Sequence, residues 1–302
     1  MTYIIAIIVL LVYAAIMRSV YETHTFEVNK INILHENASE REPVFVYFSD
    51  LHGATYGEGN YKLLDKIRAV NPDAILIGGD MIVGSKKKYK WDSAENLAAI
   101  SLIEELCKNY PVYYTFGNHE TRTRDNKKFR VDFNSYIYRI ENKNLHILCN
   151  KHEYVTYKGT RFCIYGFEAD NSYYSKKHIK PVTASYVAEC LGESPDHRHS
   201  IPIVISHNPD AFEACAEWGA EYVFSGHNHG GFIRLPLIGG VIGSNYRLFP
   251  KYSAGIYKSK KHRSTMILSK GLGTHSIKFR LFNKPEFMVI TFKPTASEQN
   301  GD

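Results

Sequence analysis

The chain is 302 residues long, 44% hydrophobic and 23% charged, with a formal charge of +6 at neutral pH. That length allows one large domain or two ordinary ones, and the composition excludes a disordered or low-complexity chain. The mild, dispersed positive charge tolerates an anionic substrate or a membrane surface, and the lack of a basic stripe argues against nucleic acid as a partner. Plentiful aromatics, 22 Tyr and 16 Phe, suit a sheet-rich core. Cys107, Cys149, Cys163, Cys190 and Cys215 are scattered, odd in number and free of Cys-x-x-Cys pairing. They read as small buried hydrophobes, not as a disulfide framework or zinc site, and favour a reducing compartment.

Tyr3 to Met17 is uncharged and almost wholly aliphatic, and Arg18 follows. A bilayer span needs roughly 17–25 residues, so this run is at the short end unless Ser19-Val20-Tyr21 join it. No basic residue precedes it, and bulky residues follow Ala14-Ala15 where a cleavage site would want small ones. Residues 1–21 therefore read as an uncleaved single-pass anchor in preference to a signal peptide. Arg18 on the C-terminal flank leans the remainder to the cytoplasmic side. Residues 22–39 read as a linker or first strand, 40–293 as the globular domain and 294–302 as a polar tail.

Within the domain, Val44 to Phe48 is a strand apolar on both faces, hence buried between layers, and it ends in Ser49-Asp50-Leu51-His52-Gly53. Asn60 to Val70 has helical spacing and stops at Asn71-Pro72-Asp73. Ala74 to Ile77 is a second buried strand, running into Gly78-Gly79-Asp80. Lys86-Lys87-Lys88 reads as a solvated loop. Asp92 to Asn109 is an amphipathic helix with Asp92 as its cap. Val112 to Phe116 is a strand ending in Gly117-Asn118-His119-Glu120, with Arg122 and Arg124 just beyond and a helix over Phe129 to Ile140.

Leu145–Leu148, Tyr154–Tyr157 and Arg161–Phe167 are strand-like, the last two joined by a hairpin turn at Lys158-Gly159-Thr160. They look like the start of a second, more antiparallel half. Tyr173 to Lys180 is a polar, basic loop, Ala184 to Leu191 a short helix, and His197 and His199 lie in an exposed connection. Ile201 to Ile205 is a buried strand ending in Ser206-His207-Asn208-Pro209-Asp210, with Pro209 opening a helix through Trp218. Tyr222 to Phe224 then runs into Ser225-Gly226-His227-Asn228-His229-Gly230-Gly231. Leu235 to Tyr257, rich in glycine, proline and tyrosine, is a loop system expected to lie over the site. Ser264–Ser269 and Glu286–Phe292 are closing strands, with Gly271-Leu272-Gly273 a tight turn.

Five strands thus end in polar clusters, where layered α/β folds place their ligands. The clusters hold Asp50, His52, Asp80, Asn118, His119, His207, His227 and His229. Mixed carboxylate, carboxamide and imidazole donors suit Mn²⁺, Fe²⁺ or Zn²⁺ better than Mg²⁺ or Ca²⁺. Seven of these eight as ligands would be too many for one tetrahedral zinc and about right for two ions sharing a carboxylate. Two ions roughly 3.5–4 Å apart can clamp both oxygens of an in-line displacement.

Asp-Leu-His, Gly-Gly-Asp, Gly-Asn-His-Glu, Ser-His-Asn-Pro-Asp and Gly-His-Asn-His-Gly-Gly, in that order over roughly residues 40 to 293, resemble the calcineurin-like metallophosphoesterase superfamily. The anchor, Ser-His-Asn-Pro-Asp, and Gly-Leu-Gly followed by Asn283-Lys284-Pro285-Glu286 resemble its membrane-associated YkuE/YaeI-like bacterial branch. The resemblance implies an α/β four-layer sandwich, two mixed β-sheets flanked by helices. It implies that Asp50, His52 and His229 hold one metal, Asn118, His207 and His227 a second, and that Asp80 bridges them. A hydroxide shared by the metals would attack phosphorus, and His119, not itself a ligand, would protonate the departing oxygen or stabilise the transition state. The His-x-His spacing alone suggests one shared ion; the resemblance separates the pair.

Asp210 and Glu120 are expected to orient ligand imidazoles, and Arg122, Arg124 and Arg234 are candidates for phosphate oxygens. Two departures stand out: Val83 where the superfamily often has aspartate, and Phe232 where the branch commonly has glutamine. The implied activity is hydrolysis of phosphomonoesters or phosphodiesters, with a lipid-linked substrate a candidate because the anchor would keep the site near headgroups. A UDP-2,3-diacylglucosamine pyrophosphatase-type reaction is the alternative. A catalytically silent scaffold is disfavoured because no ligand is lost.

Overall fold

Strand side chains alternate between faces, so strands apolar at successive positions need cover on both sides. A computed structural model, which describes residues 1–84, 94–125, 133–174, 180–243, 248–274 and 277–295, meets that need with two stacked sheets and outer helices. The chain starts with α1 (Thr2–Thr23), β1 (Glu27–His35), β2 (Val44–Phe48), α2 (Tyr61–Val70) and β3 (Ala74–Ile77). It continues through α3 (Ala94–Cys107), β4 (Val112–Tyr114), α4 (Asn118–Asp125), α5 (Phe133–Ile140) and β5 (Leu145–Ile147). There follow β6 (Lys151–Tyr157), β7 (Thr160–Phe167), α6 (Ala184–Leu191), β8 (Ile201–Ser206), α7 (Phe212–Trp218) and β9 (Tyr222–Ser225). The last elements are β10 (Arg234–Leu235), β11 (Gly239–Gly240), β12 (Gly255–Lys258), β13 (Thr265–Leu268) and β14 (Glu286–Pro294).

Among the described residues, one six-stranded sheet has the order β1-β14-β2-β3-β4-β5, parallel except between β14 and β2. The other, β12-β13-β9-β8-β7-β6, is parallel in its centre and antiparallel at both edges. Between the sheets, Phe45, Tyr47 and Leu76 pack against Ile203, Ile205 and Phe224. The alternate residues Val46, Phe48 and Ile75 pack outward with Leu63, Ile67 and Ile103 of α2 and α3. On the far side Val204, Val223 and Met266 meet Val187, Phe212 and Trp218 of α6 and α7. Each such side chain contributes roughly 1.5–3 kcal/mol on burial, so the four layers are held by apolar packing on every interface. All five cysteines are free.

The expectations for β2, β3 and α6 hold to the residue. Leu145–Leu148 does not join the second half: β5 pairs with β4 at the edge of the first sheet, and the crossing to the second sheet falls at Cys149-Asn150. Periodicity reports strand character and says nothing of sheet membership. The helix expected from Pro209 splits into a 3₁₀ turn, Pro209–Ala211, and α7, with the Asn208 side chain capping Asp210 N. Helix α4 was not expected at all. Lys86-Lys87-Lys88 and Asp92 lie outside the described residues. Residues 27–35 pair along their length with β14.

One buried contact staples the two sheets. His35 Nε2 at the end of β1 lies 3.0 Å from Glu221 Oε1, just before β9. Burial alone would raise the Glu221 carboxyl, but the hydrogen bond and charge of His35 hold it below its ordinary 4.5. A depressed carboxyl contributes stability above its unfolded value, and loses that contribution as pH falls through the folded value. Denaturation midpoints of the parent chain and Glu221→Gln should therefore differ at neutral pH and converge below about pH 4.5. A gap that stays constant down to pH 3 would show that the carboxylate charge is immaterial.

Candidate metal centre

Strands β2, β3 and β4 are parallel neighbours in one sheet, and β8 and β9 in the other, so their carboxyl ends open at one edge. At that edge the backbone bends hard. Asp50, His52, Asp80, His227 and His229 sit at φ of 55, 44, 53, 68 and 49°. Left-handed backbone at a non-glycine residue costs about 1–3 kcal/mol and persists only where the surroundings impose it. Glycine makes the close approach available: a Cβ at Gly117 would fall 2.3 Å from Asp80 Oδ1, and one at Gly226 would fall 2.3 Å from Asp50 Oδ2.

Among the described residues, the bends gather three overlapping sets of groups able to hold an ion; one is His52, Asp80 and His119, and the other two share no residue. Asp50, His52 and His229 offer donor atoms within 4.8 Å of one another, and so do Asp80, His207 and His227. His229 Nε2 is 3.3 Å from Asp50 Oδ1. Asp80 Oδ2 stands between the sets, 3.4 Å from His52 Nε2 and 3.2 Å from His207 Nε2. Donors at such separations can share a cation about 2.0–2.2 Å from each. Asn118 Oδ1 is buried and accepts no hydrogen bond from the described residues. A buried carbonyl left so costs about 1–3 kcal/mol, which a cation would remove. The donor set and the orphaned oxygen fit divalent metal.

The imidazoles are oriented by main chain. His207 Nδ1 lies 2.7 Å from Gly78 O and His229 Nδ1 3.2 Å from Gly273 O, so each donates there and offers Nε2 to a cation when the ring is neutral. At these two rings carbonyls take the position expected for Asp210 or Glu120. The electrostatics follow from crowding. Burial pushes the Asp50 carboxyl up to about 6, with His207 opposing and Asp80 reinforcing. Burial acts the same way on Asp80, yet the charges of His207, His119 and His52 hold it well below the carboxylate range. His207, which burial alone would depress, is held up to about 10 by Asp80 and Asp50.

A family model described as calcineurin-like phosphoesterase matches residues 43–231, which carry all of these groups. The chain belongs to that family. It is a metal-dependent phosphoric ester hydrolase, similar to the YkuE/YaeI-like bacterial branch. The Bacillus subtilis metallophosphoesterase YkuE is 33% identical over 264 residues, covering 83% of this chain and 79% of its own. Bacillus subtilis YpbG is 24% identical over 281 residues, 92% of this chain and 90% of its own. Escherichia coli phosphodiesterase YaeI is 24% identical over 170 residues, 56% and 53% of the two chains.

In this phosphoesterase Glu120 has a different task from the one expected. Fully buried, it accepts from the backbone N–H of Asp80 at 2.9 Å, Met81 at 2.7 Å, Ile82 at 3.2 Å and Gly117 at 3.0 Å. Tyr114 Oη adds a hydrogen bond at 2.9 Å. Burial pushes its carboxyl up to about 7, with Asp80 reinforcing the shift and Ile82 and Tyr114 opposing it. Every backbone contact nevertheless delivers a hydrogen, which suits the ionised form. Glu120 thus pins the Asp80 turn to the start of α4. Glu120→Gln, with one oxygen turned into a donor, should lose about 3 kcal/mol or more of stability. Calorimetry checks this, and an unchanged melting temperature would contradict the clamp.

His119 opens α4 beside Asp80, whose Oδ1 accepts from His119 N at 2.7 Å. Gly84 N donates to His119 Nδ1 at 3.1 Å, so the neutral ring carries its proton on Nε2. Its ring centroid is 4.6 Å from that of His52. Burial depresses the imidazole, and Arg122 adds to that depression against Asp80. Arg122 follows His119 by three residues in α4, one helical turn along the same face. Arg124 is engaged by two carboxylates, bonded to Glu168 Oε2 at 3.0 Å and Asp125 Oδ1 at 2.8 Å. Arg234 donates to Gly230 O at 3.2 Å, beside the His229 turn. The loop system over residues 235–257 touches the turn that carries His227 and His229: Tyr252 O accepts from Asn228 Nδ2 at 2.7 Å.

Three residues at the site escaped sequence reading. Tyr174, within the stretch read as a basic loop, sets its ring 5.2 Å from His227 and 6.1 Å from His207. Arg280 is buried and donates to the carbonyls of His229, Lys270, Gly271 and Gly273. Asn283 Nδ2 donates to His229 O at 2.7 Å. Arg280 and Asn283 thereby brace the backbone of one candidate ligand. Only Asn283 had a signal, in the motif after Gly-Leu-Gly.

Proposed function

We propose that this phosphoesterase hydrolyses phosphomonoesters or phosphodiesters at a dinuclear centre. Asp50, His52 and His229 would hold one cation, Asn118, His207 and His227 the other, and Asp80 both. The observation that carries this reading is the position of Asp80 Oδ2 between His52 and His207. The mixed nitrogen and oxygen donors favour Mn²⁺, Fe²⁺ or Zn²⁺. When bound, such cations supply a water of lowered pKa and offset charge on the phosphoryl oxygens. His119 Nε2–H would donate a hydrogen bond to the departing ester oxygen and stabilise the charge developing there; when the ring is protonated it would pass that proton on and return to neutral imidazole. Arg122 and Arg234 would draw phosphate oxygens toward the cluster.

Helix α1, 22 residues long with mean hydropathy 2.3 in its most apolar window, is long and apolar enough to cross a membrane. As an anchor it would hold the site at a bilayer, with Arg18 favouring the cytoplasmic face, and a lipid-linked phosphoester is the substrate class that position suits. The name of the relative YaeI supports a diester within that class.

Metal removal tests the reading. Full-length protein stripped by chelation should lose hydrolysis of an aryl phosphodiester and regain it with Mn²⁺. The reconstituted protein is then screened on mono-, di- and pyrophosphate substrates, including UDP-2,3-diacylglucosamine. Turnover that survives chelation would refute the metal-dependent reaction, and preference for the UDP-lipid would favour the pyrophosphatase alternative.

A further inference from the structure

Six of the large apolar side chains exposed outside α1 gather at one place. Leu235, Leu237 and Ile238 lie on the β10–β11 ribbon, Leu248 and Phe249 follow it, and Phe282 stands beside it. Leu237 and Phe249 occupy left-handed backbone at φ of 66 and 49°, so each is held outward at a tight bend. Arg234 N donates to Leu281 O at 3.0 Å and Phe249 N to Val241 O at 2.8 Å, which joins these segments into one body. Between them lies a cleft of about 650 Å³, lined by Leu235, Leu237, Ile238 and Phe282 with the cations Arg234 and Lys251.

That rim is fixed to the end of α1. Ser19 Oγ accepts from Arg280 N at 3.1 Å and Glu22 Oε2 from Asn283 N at 2.9 Å, so α1 is bonded on both sides of Phe282. Ser19 and Glu22 are buried there, and Arg18 lies 5.6 Å from the centroid of the Phe282 ring. The exposed apolar run of α1 ends at Met17 and Arg18 is its first charge. In a helix that enters a bilayer, such a charge sits at the headgroup layer. The bonds therefore place the rim at the same depth.

We propose that the rim is a second membrane contact: Leu235, Leu237, Ile238, Leu248, Phe249 and Phe282 enter the interfacial layer of an anionic bilayer. Arg234 and Lys251 meet lipid phosphates at the mouth of the cleft. Loop-tip apolar groups backed by cations fit that layer. Arg234 also bonds the turn after His229, so the contact sets the bilayer surface beside the metal centre. The proposal rests on α1 being embedded, not on the reaction.

The test uses full-length protein in vesicles of phosphatidylglycerol and phosphatidylcholine with brominated acyl chains. Tryptophan is introduced as Leu237→Trp in the rim, Leu10→Trp in α1, or Tyr138→Trp on exposed α5, each read against the unmodified chain. Leu237→Trp should shift to the blue and lose about half its added emission to bromine, as Leu10→Trp does, while Tyr138→Trp stays unquenched. Combining Leu237→Trp with Lys251→Gln should reduce that quenching. Quenching at Leu10→Trp without quenching at Leu237→Trp would overturn the rim contact. No quenching at either would overturn the embedded helix and the rim with it. Equal quenching in purely zwitterionic vesicles, unaffected by Lys251→Gln, would overturn the phosphate contact.

Discussion

Asp80→Ala is expected to reduce hydrolysis of an aryl phosphodiester by at least about a thousandfold, the loss anticipated when the carboxylate shared by two ions is removed. Its Oδ2 is the atom nearest both His52 and His207, and its Oδ1 accepts from His119 N. Without it, the carboxylate left beside His52 and His207 is Asp50, whose Oδ1 is farther from both, at 3.9 and 3.8 Å. Metal content should fall with activity. The near-isosteric Asp80→Asn keeps the shape of the turn that Glu120 clamps, so it separates lost charge from lost fold. Asp80→Asn with full activity and two bound ions would contradict the shared-carboxylate role.

His119→Ala should slow the reaction by about 10²–10⁴-fold, and the size of the loss should depend on the leaving group. A proton donor matters little to 4-nitrophenolate, which departs readily as an anion, and matters most to an alkoxide. The alkyl ester should therefore suffer more. Metal content should stay at the parent level. This outcome is discriminating because His119 also lies close enough to His52 and Asp80 to serve as a ligand. Were it one, its removal would lower metal content and slow both esters alike.

Much of the site was legible because buried strands declare themselves. Val44–Phe48 and Ala74–Ile77 are apolar without interruption, and an abrupt Asp or His at the end of such a run marks the edge where polar groups collect. Helix α4 was illegible for the opposite reason. Asn118–Asp125 contains no apolar residue, and it buries Glu120, Thr121 and Thr123 through hydrogen bonds instead of an apolar stripe. Glu120 was seen as a support, but only coordinates show that it serves backbone and not imidazole. Tyr174 and Arg280 reach the site from segments remote in sequence, and local pattern carries no record of such contacts. Glu22 was invisible in the same way, its partner Asn283 lying 261 residues further on.

These supports also reach α1. The same short segment, Arg280 to Asn283, bonds the end of α1 and the carbonyl of His229. The helix is thus fastened to the metal centre's own bracing, where a tether would need only a flexible link.

The most direct test of the dinuclear account is a metal titration of stripped full-length protein, with bound metal measured by elemental analysis and turnover measured on the same samples. The account predicts that Mn²⁺ binding and activity saturate together at two ions per chain, and that Asp80→Ala no longer reaches that number. Saturation of activity at one ion per chain, or two ions retained by Asp80→Ala, would contradict it.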